Sequence, residues 1–511
     1  MKQFDIILVS GEYYVDHPLS SVGVIAKVLQ DKGFSVGIIE KPDWKTDEDF
    51  LKLGKPRLFF GVTSGSIDSM LVNYTPLKKS RAEDENRAYD SGIPDRAVLV
   101  YCNKLKQLFK DSKIVIGGIE ASMRRFLHYD YWINDLRKSI IIDSRADILV
   151  YGNGEHQVVE IAKRLDAGKP IDGIEGTCIV VKEVPKGFEM LPSADEASKS
   201  KEAFCKMQLM FTNKKNLAQK FDNRYVLQYK MHNYTTKELD YIYGLDYSRD
   251  IPKRFPQFQM TQFSIVTHRG CVGGCNFCSI TLHQGDRIIS RGEESILEEI
   301  KKITKHKDFK GYIDDFGGAS ANMYGMDCLK CDGEKCIGCG NLNKSHSRLI
   351  ELMRKARKIK GVKKIFVRSG IRYDLASESE EYIKELSQHH ISGCLKIAPE
   401  HFSKKVLQLM NKDTGKFEKF KKMFEKHNKE LNQEMKFYFM TAHPGSTIED
   451  AEELGKKLRE LRNTESIQIF TPTPMTMSTC MYYTGLNPLT LEKIYVPYTY
   501  NEKKKQKNIL Y

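Results

Sequence analysis

The run Thr267-His-Arg-Gly-Cys-Val-Gly-Gly-Cys-Asn-Phe-Cys-Ser279 places Cys271, Cys275 and Cys278 at C-x3-C-x2-C spacing, directly after the apolar, β-branched stretch 263–267. This run constrains the fold more than any other, because a strand must deliver three thiols to one short loop. A [4Fe–4S] cluster has four irons and takes cysteine thiolates as its usual ligands. Three thiolates leave one iron open to a substrate or cofactor. Gly270, Gly273 and Gly274 suit a backbone folded tightly around such a group, since glycine tolerates positive φ. Phe277, one position before the last cysteine, would set an aromatic surface beside the open iron. The plainer alternatives are three reduced thiols in a loop, or part of a zinc site.

Cys271, Cys275, Phe277 and Cys278 resemble the C-x3-C-x-aromatic-C hallmark of the radical S-adenosylmethionine (SAM) enzymes. The resemblance implies that SAM chelates the fourth iron through its amino and carboxylate groups. It implies too that the reduced cluster splits the cofactor into methionine and a 5′-deoxyadenosyl radical, which takes hydrogen from a substrate. An electron donor such as flavodoxin or ferredoxin is then a partner.

The chain has 511 residues, 41% of them hydrophobic, enough for two or three domains with real cores. It shows no signal-peptide pattern and no stretch approaching the roughly 18–20 apolar residues of a membrane helix, so a soluble cytoplasmic protein without a membrane partner is expected. Twelve cysteines are present, and those at 271–278 and 328–339 crowd into two loops at metal-ligand spacing. That pattern favours metal binding in a reducing compartment over disulfides. The net charge of +14 comes from lysine spread along the whole chain rather than from a stripe, so RNA stays an option as partner and no more. The Lys503-Lys-Lys-Gln-Lys507 run reads as a solvated end.

Residues 1–185 read as an N-terminal α/β domain, with strands at 4–10, 35–40, 58–63, 113–117 and 148–152 and helices at 21–32 and 97–109. The alternation implies a doubly wound, Rossmann-like parallel sheet. Its ligands would lie beyond the strands' carboxyl ends, where Ser64-Gly-Ser66, Gly117-Gly-Ile-Glu120 and Gly152-Asn-Gly-Glu155 fall. Each could equally be a tight turn. Together they resemble the cobalamin-type domain ahead of many radical SAM barrels. The cobalamin-ligating Asp-x-His-x-x-Gly pattern is absent, since Asp16 and His17 are adjacent, and cobalamin is therefore disfavoured as a cofactor. Residues 186–260 are polar and read as a helical linker.

From 261 to 475 the βα rhythm resumes. Strands are expected at 263–267, 310–316, 364–369, 393–398, 434–441 and 466–471, and helices at 295–304, 346–359, 380–389, 404–410, 416–426 and 448–461. This resembles the partial (β/α)6 TIM-type radical SAM barrel, whose chemistry sits at the strands' carboxyl ends. Residues 476–511 read as a C-terminal tail.

Several residues follow from that resemblance. Gly317 and Gly318, after the second strand, match the glycine-rich turn that receives the SAM amino group. Glu400, in Lys396-Ile-Ala-Pro-Glu-His401, could accept bonds from the SAM ribose hydroxyls, with an ordinary helix start as the alternative. Arg368 and Arg372 flank the end of the third strand; a guanidinium suits a carboxylate, and a structural ion pair is the default. His443-Pro-Gly-Ser-Thr447 and Phe470-Thr-Pro-Thr-Pro474 resemble the proline turns after the fifth and sixth strands, the latter as in methylthiotransferase-like members. In an insert at 325–342, Cys328, Cys331, Cys336 and Cys339 form C-x2-C-x4-C-x2-C, a set for zinc or for a second iron–sulfur cluster. Cys102, Cys178, Cys205, Cys394 and Cys480 stand alone and read as ordinary buried thiols.

Longer stretches, among them Gly117-Gly-Ile-Glu-Ala-Ser-Met-Arg-Arg125, Cys278-Ser-Ile-Thr-Leu-His-Gln-Gly-Asp286 and Met481-Tyr-Tyr-Thr-Gly-Leu-Asn-Pro488, resemble the YgiQ-type radical SAM proteins over nearly the whole chain. A radical SAM enzyme is the expectation, its substrate left open. The alternatives are methylthiotransferase-like or methylase-like RNA modification, and a non-catalytic zinc or iron–sulfur protein that binds nucleic acid or senses redox state.

Overall fold

A computed structural model describes residues 3–81, 92–253, 255–330, 336–461 and 464–510. The chain forms two compact units, one from residues 1–233, 245–250 and 471–493, the other from 234–244, 251–470 and 494–511.

In the first unit, β1 (Ile6–Ser10) is buried along its whole length, as a central strand covered on both faces must be. It lies parallel between β2 (Val36–Glu40) and β3 (Phe59–Thr63). The parallel set continues through β4 (Lys113–Ile116) to β5 (Ile148–Val150). The expected strands are all present. The sheet then runs on antiparallel through β6 (Thr177–Val181), with β7 (Glu189–Met190), β8 (Leu217–Phe221) and β9 (Arg224–Gln228), in the order β2-β1-β3-β4-β5-β6-β9-β8-β7.

Residues 186–260 thus depart from the expected helical linker. Helices Ala194–Lys199 and Lys201–Met210 do form, but β8 and β9 are a hairpin that completes the sheet. Its two-residue turn sets Asp222 at φ 51°, the left-handed conformation that tight hairpins require.

Seven strand segments of the second unit join through parallel pairings. β10 (Ile265–Val266) pairs with β12 (Phe316–Gly317), and β11 (Tyr312–Ile313) with β13 (Lys364–Ile365). Ile371 bridges to Ile397 in β14 (Cys394–Glu400), which pairs with β15 (Glu434–Thr441) and then β16 (Thr464–Ile469). This is the expected partial barrel. Its helices are amphipathic: Ser347–Arg357 buries Leu349, Ile350, Leu352, Met353 and Ala356 into one continuous apolar core.

The tail also differs from expectation. Met477–Thr484 is a helix of the first unit, and Tyr500–Ile509 is a helix of the second. The lysine-rich run is no solvated end, because Lys503 and Gln506 sit on the buried face and Leu510 joins the barrel core. Gln506 accepts from Thr441 Oγ1, the Ala442 amide and Ser446 Oγ, and donates to the Ser446 carbonyl. Cys205 and Cys480 do not stand alone: their sulfurs are 3.8 Å apart between helices of the first unit.

Candidate functional site

The cysteine loop hangs from a short antiparallel stem in which His268 and Arg269 pair with Ser290 and Ile289. At its entry Gly270 has φ 88°, and a Cβ there would lie 1.8 Å from the Arg287 carbonyl oxygen, so only glycine fits. The Cys271 amide donates to Gly285 O, and the Cys278 amide to Cys275 O. The middle of the loop is clamped to the turn after helix Lys404–Leu409. Asn276 donates through its amide to Met410 O and through Nδ2 to Leu409 O, while Asn411 Nδ2 donates to Gly274 O.

All three thiols are half-buried. The Gly273 amide points at Cys271 Sγ (3.4 Å) and Arg372 Nη1 donates to Cys275 Sγ (3.2 Å). Among the described residues no three cysteine sulfurs lie within 4.8 Å of one another. Sulfurs round one tetrahedral zinc would be about 3.8 Å apart. The three thiols are therefore not gathered round a single point as one zinc ion would gather them. Burial pushes the Cys271 and Cys278 thiols up, which favours the protonated form; bound cationic metal reverses that preference.

Two buried cations flank the loop. Burial opposes the charge of Arg372, but Asp374 and Cys275 more than offset it and hold its pKa up. Lys412 is likewise desolvated yet held above the usual lysine range, chiefly by Glu400. Its Nζ donates to Glu400 Oε1 (3.1 Å) and lies 5.9 Å from the Phe277 ring centroid. Phe277 meets His443 edge-on at 6.5 Å. Glu400 itself has φ 71°, a left-handed conformation whose cost is about 1–3 kcal/mol in a non-glycine residue and that recurs at ligand sites.

Gly317 and Gly318 have their own packing reason. A Cβ on Gly317 would lie 2.7 Å from Ala321 Cα, and one on Gly318 2.7 Å from the His268 ring. His268 Nε2 faces Ser320 O at 3.1 Å and its Nδ1 faces Thr267 Oγ1 at 2.9 Å, so one imidazole ties the glycine turn to the start of the cysteine loop. His268, Asn322, Asp374, Asn411 and Lys412 were all missed in the sequence, where they carry no motif. The nearest signal was the glycine at 318, which needs a bulky neighbour to explain it.

In the insert, Cys331 lies outside the described residues. Asn341 N points at Cys339 Sγ (3.4 Å) and the Cys339 amide donates to Cys336 O, the kind of knuckle a thiolate ligand uses. Cys336 and Cys328 pack in one apolar cluster with Val272 and Cys271. The described members alone do not close a metal site.

The parallel part of the first sheet, order β2-β1-β3-β4-β5, reverses direction between β1 and β3, where sheets of this order hold ligands. There Glu12 accepts from the Ser66 amide, Ser66 Oγ and Ser21 Oγ. His17 is committed elsewhere: its Nδ1 accepts from the Leu19 amide and its Nε2 lies 3.2 Å from Arg249 Nη1.

Residues 1–267 match the radical SAM N-terminal family, residues 265–458 the radical SAM superfamily, and residues 465–511 a domain of unknown function, DUF3362. A UPF0313 protein of Methanocaldococcus jannaschii is 46% identical across 99% of this chain and 89% of its own length. One of Methanosarcina mazei is 43% identical across 100% of this chain and 92% of its own. Among solved structures, the radical SAM methyltransferase TsrM of Kitasatospora setae, with cobalamin and a [4Fe–4S] cluster bound, covers 94% of this chain and 79% of its own at a TM-score of 0.54 and 16% identity. OxsB with aqua-cobalamin bound covers 94% of this chain and 55% of its own at a TM-score of 0.51 and 13% identity.

These likenesses are of fold, and they correct one expectation. Cobalamin was disfavoured because a ligating motif is missing, yet structures sharing this fold contain it. The missing Asp-x-His-x-x-Gly pattern bears on how a corrinoid would be held, not on whether the sheet can carry one. Among the described residues no helix is long and apolar enough to cross a membrane.

Proposed function

The chain belongs to the radical SAM superfamily and, within it, to the UPF0313 proteins, and from that premise we propose that Cys271, Cys275 and Cys278 hold a [4Fe–4S] cluster at which SAM is reductively cleaved. The observation that carries this reading is the loop itself: three thiols at C-x3-C-x2-C spacing on a backbone clamped at entry and middle. When bound, a cluster of this kind supplies the electron that splits SAM into methionine and a 5′-deoxyadenosyl radical.

The protein's own residues do the rest. Gly317 and Gly318 keep the turn beside His268 free of side chains, which suits backbone approach by the SAM amino group. Glu400, held by Lys412 on a strained backbone, would accept from the ribose hydroxyls in this reading. Phe277 stands between Lys412 and His443 and would set its ring beside the open iron in this reading. The electron comes from a reductant, of which flavodoxin or ferredoxin is the suitable class. Cys328, Cys331, Cys336 and Cys339 form a second metal site in this reading.

The test is anaerobic reconstitution followed by iron and sulfide analysis, then incubation with SAM and dithionite. Wild type should bind iron and sulfide and form 5′-deoxyadenosine, and Cys275→Ala should hold less iron and sulfide than wild type and form no 5′-deoxyadenosine. A Cys275→Ala protein that still makes 5′-deoxyadenosine sinks the assignment. A second reading, corrinoid-dependent group transfer, is favoured by the β1/β3 crevice of the first sheet. Titration with hydroxocobalamin tests it; an unshifted absorption spectrum and no retention on gel filtration would remove it.

A further inference from the structure

One charged side chain touches a loop sulfur directly. Arg372 follows the third strand segment and is 8% exposed. Its backbone is held on both sides by Asn322, wholly buried, whose Oδ1 accepts from the Arg372 amide (2.8 Å) and whose Nδ2 donates to the Arg372 carbonyl (3.0 Å). The guanidinium is divided between two anion-type partners. Nε and Nη2 form a fork on Asp374 at 2.9 and 2.5 Å, and Nη1 donates to Cys275 Sγ at 3.2 Å. A Cβ on Gly273 would lie 2.8 Å from Nη1, so the loop glycine makes room for this contact.

The fork is already occupied by Asp374. That leaves Arg372 a poor receptor for a free carboxylate and makes it the structural ion pair expected by default from the sequence. What it does reach is a cysteine sulfur. Hydrogen bonds to sulfur and local charge are the protein's principal means of setting an iron–sulfur potential. Reduction makes a cluster more negative, so a nearby cation and an N–H···S bond stabilise the reduced form.

We propose that Arg372 is a positioning residue that raises the reduction potential of the cluster held at Cys275, with Asp374 as the opposing charge that moderates it. This rests on the reading that Cys271, Cys275 and Cys278 hold that cluster. Asn322 and Gly273 fix the contact, and the signs of the two charges make the inference specific. Removing the guanidinium must lower the potential, and removing the carboxylate while the guanidinium stays must raise it.

The test is an electron paramagnetic resonance redox titration of anaerobically reconstituted protein, comparing wild type with Arg372→Met, Asp374→Asn and the double variant. Arg372→Met should shift the one-electron reduction equilibrium against the reduced form at least tenfold, about 59 mV more negative. Asp374→Asn should move it in the opposite direction. The double variant, which leaves no buried unpaired carboxylate, should shift negatively by less than Arg372→Met and carries the test if that protein fails to fold. A shift under twofold on loss of Arg372, or a negative shift in Asp374→Asn, overturns the proposal. Failure of the underlying reading shows separately, as wild type that takes up no iron and sulfide.

Discussion

The two units place their loops by one rule and furnish them with opposite chemistry. In each, parallel strands deliver turns to their carboxyl ends. At the barrel edge three thiols lie under the cations Arg372 and Lys412. At the edge of the first sheet the exposed turn carries Glu12, fed by an amide and two hydroxyls, and the buried Glu120 accepts from Ser69 and the Val98 amide. Topology therefore fixes where a site can be, and the turn residues decide which charge it welcomes. Glycine illustrates the same division. Gly273 leaves room for a guanidinium, whereas Gly11 lets two backbone turns touch, a Cβ there lying 2.5 Å from Ser64 O.

Substitution at the two edges should separate these roles. Gly270→Ala combines φ 88° with a Cβ 1.8 Å from Arg287 O, so the loop cannot keep its path; iron and sulfide content should fall to that of Cys275→Ala. Gly11→Ala should cost the first unit about 1–3 kcal/mol by overpacking while iron and sulfide content stays at the wild-type level. If Gly11→Ala also strips the iron, the two edges are not independent.

Acid should divide the units next. The barrel buries His268, His346, His401 and His443, with pKa values pushed down by burial to about 4, 4, 4 and 3. The first unit has His128, pushed by burial to about 3. Each titrates near 6.5 when unfolded. The unfolded chain thus binds more protons below pH 6.5, and stability, complete above that pH, falls as pH drops toward 4. Each histidine contributes a slope of up to about 1.4 kcal/mol per pH unit. Hydrogen exchange between pH 7 and 4.5 should show the barrel amides losing protection before those of β1 to β5; the reverse order would break the contrast.

A smaller effect tests the pair beside Phe277. Lys412→Met leaves Glu400 without its buried partner and should destabilise the barrel by about 3–5 kcal/mol in urea. Lys412→Met with Glu400→Gln should recover most of that. No recovery would mean that Lys412 serves packing rather than charge.

What the sequence made legible follows the range of the forces involved. Strands and helices of both units stood out because apolar periodicity is local, and helix Glu380–His389, strand Glu434–Thr441 and helix Ile448–Leu461 match the expected ranges at both ends. The cysteine loop was legible because metal-ligand spacing is local too. The hairpin Leu217–Phe221 and Arg224–Gln228 was missed among lysines, although Asp222-Asn223 between two alternating segments was a usable turn signal. Asn322, Asp374 and Lys412 were invisible for a different reason: Asn322 and Lys412 act on residues 50 and 12 positions away, and Asp374, only two from Arg372, matters solely because that arginine reaches Cys275, 97 positions distant. Cys205 and Cys480, 275 positions apart, met for the same reason.

The closing helix gives the smallest and sharpest comparison. Thr499 caps it by accepting from the Glu502 amide, and Glu502 returns to the Thr499 amide. Ser20 caps helix Ser21–Asp31 of the first unit by accepting from the Gly23 amide. Loss of either cap should cost about 1 kcal/mol. For Ser20→Ala the cost should appear as lower stability of the first unit, because that helix buries Val22, Val24, Val28 and Leu29. For Thr499→Ala the outcome depends on whether the lysine-rich helix is part of the barrel's cooperative fold. Gln506 bonds the turn after β15 at four points, and Leu510 lies in the core beside Leu454 and Leu458. Fraying at Tyr500 should therefore reach His443 and be read as a drop in the unfolding midpoint of the whole barrel. If exchange rises only within 500–509 and the midpoint is unchanged, the helix is an appendage and the turn at 442–446 stands without it.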